Sequence, residues 1–254
     1  MSHRIIRDTN TAGIIVATGQ PLDYSFTPHP LLLPVNKNYN LLERSIVECC
    51  SIRCDSVWVL LEEESVNELK KVVGERKYNT YTRKYIPIYW MPIKHENVSK
   101  DISWHISFAG SYVAFVHTSY SKFTTPRQYF FTFPYTILSP LEIKFVKTPP
   151  TKKKNVLFFC CKEENALSNS SLLPFILTDT EIRNMNKTYK NFKHLQILNK
   201  SEKECGLDKF LKMLILNLQD IKCFDVSTYQ NVSTWEKWTQ MINGEPSCER
   251  PTWL

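Results

Sequence analysis

Thr18, Gly19 and Gln20 stand directly after an unbroken apolar run, Gly13 to Ala17, and ahead of the segment Pro28-His-Pro-Leu-Leu-Leu-Pro-Val35. A glycine at the end of a buried strand lets backbone N–H groups approach an anion closely, which is how phosphate-cradling turns work. The chemistry is only half supplied here, because Pro21 has no N–H to offer and Leu22 brings neither hydroxyl nor charge. His29 reads either as a phosphate contact or as a capping histidine; with an ordinary pKa near ~6.5 it carries far less positive potential at neutral pH than a lysine would. Gly110 and Ser111 read as the start of a helix whose N-terminus faces the same cleft and favours an anion there. Close helix–sheet packing would equally explain two such small residues. Trp104 and His105, just ahead, could contact a base or belong to the core. No Ser/His/Asp or Cys/His triad can be assigned from residue types alone, so the catalytic residues stay unassigned.

The elements that position these residues alternate. The spacing predicts a strand over 13–17, a helix over 40–50 opened by the Asn40 and Glu43 capping box, a strand over 56–61, and a helix over 63–73 closed by Gly74. A short or near-edge strand at 86–91, framed by Pro87 and Pro92, a helix over 107–118 and a strand over 128–133 follow. The second half reads as a strand over 155–161, a polar helix over 180–191 capped by Thr178 or Asp179, a short strand at 194–198 and an amphipathic helix over 207–218. A strand at 223–226 and a last helix, opened by a Ser233 to Glu236 capping box and carrying Trp235 and Trp238 on its buried stripe, complete the chain. Alternation of this kind gives βαβ units with right-handed crossovers: a three-layer α/β/α sandwich with a central mixed, mostly parallel sheet. We expect a single domain over residues 11–243, a flexible stretch 1–10 and a tail 244–254.

The bulk properties of the 254 residues agree with a globular chain, since 43% are hydrophobic and 13% aromatic. The net charge of +7 is compatible with a polyanionic partner, although only Lys152, Lys153 and Lys154 form a run, and that run reads as a solvated loop. Eight cysteines include the crowded Cys49, Cys50 and Cys54 and the adjacent Cys160 and Cys161, a spacing that bridges poorly. Cys50 and Cys54 have no matching downstream pair, so no metal site is assigned. No secretory or membrane-spanning segment is read, which points to reduced thiols and a cytoplasmic location.

The order of motifs resembles the sugar-1-phosphate nucleotidyltransferases. That family opens with a strand, a loop G-x-G-[ST]-x-[RM], and P-K-P-L-L-P-V before a helix; the counterparts are Ile14 to Gly19, Pro28 to Val35 and Asn40 to Ile46. Ser56 to Leu61, Ala109-Gly110-Ser111 and Asn231 to Trp238 match later motifs in order. The resemblance implies a nucleotide or sugar-nucleotide cleft around Thr18, Gly19, Gln20, His29, Gly110 and Ser111. In the family a sugar phosphate attacks the α-phosphate with loss of pyrophosphate, assisted by Mg2+ on two aspartates. Here the loop arginine is missing, His29 replaces the lysine, Phe133-Pro134 stands where Gly-Asp belongs, and Asn231 aligns with the second aspartate unless Asp225 is its counterpart. We therefore expect a divergent member that binds a nucleotide-like molecule with weak or no metal-dependent transfer. The alternatives are a non-catalytic scaffold with a protein partner or a second copy, and a glycosyltransferase acting on modified nucleic acid.

Overall fold

The structure, a computed structural model, describes residues 10–19, 22–23, 29–120, 125–138, 155–160, 174–198, 210, 213–214, 221–226 and 229–243. In chain order the strands are β1 (Thr11–Val16), β2 (Ser56–Glu62), β3 (Arg76–Asn79), β4 (Lys84–Ile93), β5 (Gln128–Thr132), β6 (Thr136–Leu138), β7 (Asn155–Cys160), β8 (Phe175–Thr178), β9 (Ile221–Val226) and β10 (Tyr229–Asn231). The helices are α1 (Leu41–Ser51), α2 (Glu63–Val73), the short α3 (His95–Val98), α4 (Ile102–Ser119), α5 (Asp179–Leu198) and α6 (Trp235–Asn243), with a 3-10 turn at Pro30–Leu32.

Eight strands form one sheet in the order β3-β4-β2-β1-β5-β8-β7-β9. β1 is parallel to β2 and β5, and β2 to β4. β8 runs antiparallel to both β5 and β7, so β7 and its parallel neighbour β9 point the same way as β1. Alternate residues of β1 serve opposite cores. Ile15 joins Val57 and Val59 of β2 under α1 and α2, while Ile14 and Val16 join Trp58 and Leu60 under α4 and α5. The sheet is therefore covered on both faces, as the three-layer mixed arrangement requires, and β1 is buried along its whole length.

Local rules explain the well-formed ends. Asn40 Oδ1 accepts from the Glu43 N–H while the Glu43 carboxylate accepts from the Asn40 N–H, so both halves of the capping box at α1 are present. Gly74 ends α2 with φ +86, a conformation that side chains resist. At Gly13, a Cβ would lie 2.6 Å from Cys49 Sγ, which lets α1 settle onto β1. Cys49, Cys50 and Cys54 are free and buried. Burial raises the Cys49 thiol, and pushes Cys50 up to about 12, so neither is a ready nucleophile.

Several expectations need correcting. β4 is not short, at ten residues, but it does lie near the edge, between β2 and the outermost strand β3. β3 pairs only with residues 84–87, and the Ile88 N–H donates to the Glu75 carbonyl on that side. By strand alternation the Pro92 nitrogen faces the same side, beyond the end of β3, where no ladder donor is needed. α4 starts at Ile102, capped by Asp101, and not near Ser107 or Gly110. Residues 194–198 continue α5 instead of forming a strand, because Ile182, Met185 and Phe192 keep a helical stripe in the core. Thr234, not Ser233, caps α6 by accepting from the Lys237 N–H. Trp235 is 42% exposed, stacked on a partly buried Trp238 at 4.9 Å. β3, β8 and the small β6–β10 pair had no reading from sequence. Lys152 to Lys154, Cys161 and most of the expected helix over 207–218 lie outside the described residues, although Phe210 and Leu214 of that helix are buried.

Candidate functional site

The polypeptide leaves the sheet at Ala17, whose N–H still donates to Leu60 O at 2.9 Å. Gly19 then turns with φ +80. It sits directly on the imidazole of His105 in the first turn of α4: a Cβ at Gly19 would lie 2.3 Å from Nδ1 and 2.7 Å from Cε1. Glycine is therefore demanded twice, by backbone conformation and by contact. His105 Nδ1 lies 3.0 Å from the Asp101 carbonyl, which can only accept, so Nδ1 carries the proton. Burial lowers the His105 pKa, against the opposing pull of the Asp101 carbonyl, the Asp101 charge and the Asn97 carbonyl. The ring is thus neutral at pH 7 with Nε2 as an acceptor. That Nε2 and the Thr18 hydroxyl are both buried without a hydrogen-bond partner among the described residues. Unmet groups of this kind cost about 1–3 kcal/mol each.

Asp101 caps α4 by accepting from the Trp104 N–H at 3.0 Å, and its other oxygen accepts from Lys193 of α5 at 2.6 Å. Burial pushes its carboxyl up, but the Lys193 ammonium and the Trp104 N–H more than offset this and hold it below the usual range. Trp104 meets His105 edge-on at 5.1 Å and stacks on Phe108 at 5.0 Å. Sequence alone left the pair as contacts to a base or as part of the core. The structure makes His105 the floor of the Gly19 turn.

His29 has the capping role. Its Nδ1 accepts from the Leu31 N–H at 3.1 Å and its own N–H donates to Glu68 at 3.4 Å. Burial lowers its pKa, with Glu68 acting in the opposite sense. No described hydrogen bond joins His29 to Thr18, Gly19 or His105. Gln20 lies outside the described residues.

Gly110 and Ser111 are mid-helix, about 8 Å further along α4 than His105 at 1.5 Å per residue, and so do not begin a helix at the cleft. A Cβ at Gly110 would lie 2.8 Å from Met185 Sδ and 3.2 Å from Phe131 Cζ, so this glycine allows α4, α5 and β5 to meet closely. Ser111 lines a groove between α4 and α5. The structure brings Gly19 to His105, gives His29 a capping role, and places Gly110 and Ser111 mid-helix.

Comparison in three dimensions gives full-length matches. A Bacillus anthracis protein assigned as a glucose-1-phosphate thymidylyltransferase, solved with a sucrose, superposes with TM-score 0.56 and 11% identity over 93% of this chain and 96% of that one. The inositol-1-phosphate CTP transferase of T. maritima gives TM-score 0.55 and 9% identity over 94% and 98%. A Mycobacterium tuberculosis H37Rv protein in complex with manganese gives 0.52 and 10% over 92% and 99%. The chain has the sugar-nucleotidyltransferase-like fold. No protein-family profile matches the sequence, and no curated protein matches it significantly. The likeness is one of fold, at identities too low to carry activity.

Within that fold, the metal positions are the sharpest departure. Beyond β5 come Phe133, fully buried, and Pro134, where a Gly-Asp pair is expected. Asn231 ends β10, which pairs with β6: Asn231 lies opposite Thr136, and the Val232 N–H donates to Tyr135 O at 2.8 Å. Asn231 thus lies beside the end of β5. Asp225 is on β9, the edge strand, four strand spacings from β1, or about 19 Å at ~4.8 Å each. Of the two residues considered from sequence, Asn231 is therefore the one beside the end of β5. Neither Phe133-Pro134 nor Asn231 offers the anionic oxygens that Mg2+ takes, so the residues present do not fit that ion. Among the described residues no three His, Cys, Asp or Glu side chains cluster, and no described helix is long and apolar enough to cross a membrane.

Two polar features escaped the sequence reading. Glu48 of α1, 1% exposed, accepts from Thr132 of β5 at 2.5 Å and faces Arg44, 2% exposed, at 3.4 Å. Their i, i+4 spacing was visible, but it is also that of a solvated ion pair. Asp23 accepts from the Trp235 N–H at 2.7 Å, and Trp238 Nε1 donates to Pro34 O at 3.2 Å, so α6 is tied to both Asp23 and Pro34.

Proposed function

We propose that the chain binds a nucleotide or sugar nucleotide at the carboxyl end of β1, and that it does not carry out metal-dependent nucleotidyl transfer. The observation behind the binding half is the seat of Gly19 on the His105 ring at the carboxyl end of β1, where ligands of open α/β sheets are held, with the Thr18 hydroxyl and His105 Nε2 both buried and unmet among the described residues. A neutral Nε2 acceptor pairs with an O–H or N–H group better than with a phosphate oxygen. The base or sugar hydroxyl is accordingly the part of the ligand assigned to His105. Support for the inactive half comes from Phe133-Pro134 and Asn231 in place of carboxylates. Losing preorganised charge of this kind typically costs ~10²-fold or more for each group.

The test is calorimetric titration of the four nucleoside triphosphates and their sugar derivatives into the wild type, Thr18→Val and His105→Phe. Binding in the wild type that weakens about tenfold in each variant is expected. Equal binding in all three places the ligand elsewhere. A non-catalytic scaffold, the second reading of the same substitutions, predicts no nucleotide binding at millimolar concentration.

A further inference from the structure

The 18 residues of α4 contain no Asp, Glu, Lys or Arg. Its outward positions are nevertheless not covered by any described residue: Tyr112 is 41% and Phe115 61% exposed, with Trp104 and Phe108 half-buried beside them. Trp104, Phe108 and Tyr112 form a stacked ladder at i, i+4 and i+8, with centroids 5.0 and 5.9 Å apart. The other exposed residues of α4 are Thr118 and Ser119, so its exposed side chains are aromatic or hydroxylic, while the aliphatic Ala114 and Ile182 lie in the floor of the groove beside them. Such a patch marks an interaction surface.

α5 runs antiparallel alongside. Asp101 pairs with Lys193 at one end, Gly110 meets Ile182 and Met185, and at the other end a groove of about 360 Å³ is lined by Phe115 and Thr118 of α4 and Arg183 and Asn186 of α5. Arg183, Lys187, Lys190 and His194 fall at i, i+4, i+7 and i+11, one exposed stripe of α5. Helical phase puts this stripe next to Ile182 and Asn186, on the edge that borders the aromatic face. The described carboxylates bordering it are Asp179, 4.0 Å from Arg183, and Asp101, held by Lys193 at 2.6 Å. Both stripes extend about 16 Å at 1.5 Å per residue.

We propose that the aromatic face of α4 and the basic stripe of α5 together form a docking groove for single-stranded nucleic acid. The combination of parallel cationic and aromatic tracks matches a backbone of phosphates with unpaired bases beside it. A second copy of the chain would leave the basic stripe without an acidic partner in any two-fold that superposes the α5 helices. A lipid surface is disfavoured by the absence of aliphatic side chains from the exposed positions of the face.

The test is fluorescence anisotropy with a labelled 15-residue oligothymidylate at several salt concentrations, using the full chain. Binding is expected at 50 mM salt. Phe115→Ala, an exposed position, weakens it about tenfold, and Lys187→Ala/Lys190→Ala makes the slope of log K against log salt shallower by about 1.4, or ~0.7 for each lost phosphate contact. Lys71→Ala on the exposed side of α2 leaves binding unchanged. The proposal is overturned by absence of binding at 50 mM salt, by a Phe115→Ala variant that binds as well as wild type, or by a Lys71→Ala loss equal to that of the stripe variant. Two further results overturn it: retention on phosphatidylserine vesicles without oligonucleotide binding, and a dimer by light scattering that Phe115→Ala dissolves.

Discussion

Replacing Gly19 by alanine tests the seat of the turn on His105. A side chain at φ +80 costs about 1–2 kcal/mol for backbone alone. The new Cβ would lie 2.3 Å from His105 Nδ1, so the ring must retreat by about 1 Å to reach ordinary contact. His105 is fully buried, and displacement of that kind in a packed interior costs about 1–3 kcal/mol more. The expected destabilisation is roughly 2–5 kcal/mol in urea-induced unfolding, read as a lower midpoint at constant slope. His105→Ala removes the steric part. In the double variant the alanine at 19 costs only its backbone share, giving a coupling of about 1–3 kcal/mol between the sites. A Gly19→Ala loss below about 1 kcal/mol, or two losses that simply add, would refute the contact.

Other outcomes follow from the same geometry. Arg44→Met breaks the buried pair with Glu48 and should cost about 3–5 kcal/mol by urea titration; a loss below 1 kcal/mol would show that the pair does not hold α1 to β5. His29, His105 and His117 all have pKa values lowered by burial, so unfolding takes up protons below pH 6.5. Stability is fully present above that value and falls as the pH drops below it, and His117→Gln should flatten the pH 7 to 5 profile; an unchanged profile counts against His117 as a contributor. Asp23→Ala removes the cap on the Trp235 N–H and should cost about 1 kcal/mol, with faster amide exchange confined to residues 235–243. Uniform exchange across the chain would contradict a local role.

What the sequence revealed tracks the range of the forces involved. The Asn40 and Glu43 box, the Gly74 stop and the continuous apolar run of β1 are local, and each appears where spacing puts it. α4 was cut short because it is apolar nearly all round, leaving no period to mark its start, although Asp101 was a readable cap. The four buried residues of β8 carry no alternation, and residues 194–198 suit either helix or strand until Phe192 and Phe210 meet at 5.6 Å. Gly19 could be singled out from its neighbours. Its partnership with His105 could not, since it arises only when β1 and α4 pack together.

The central claim, nucleotide binding without metal-dependent transfer, is tested most directly by one pyrophosphate-coupled calorimetric titration with nucleoside triphosphates and a sugar phosphate, run in EDTA and again in Mg2+. The expected result is the same affinity in both and no pyrophosphate. Affinity that appears only with Mg2+, accompanied by steady pyrophosphate release, would contradict it.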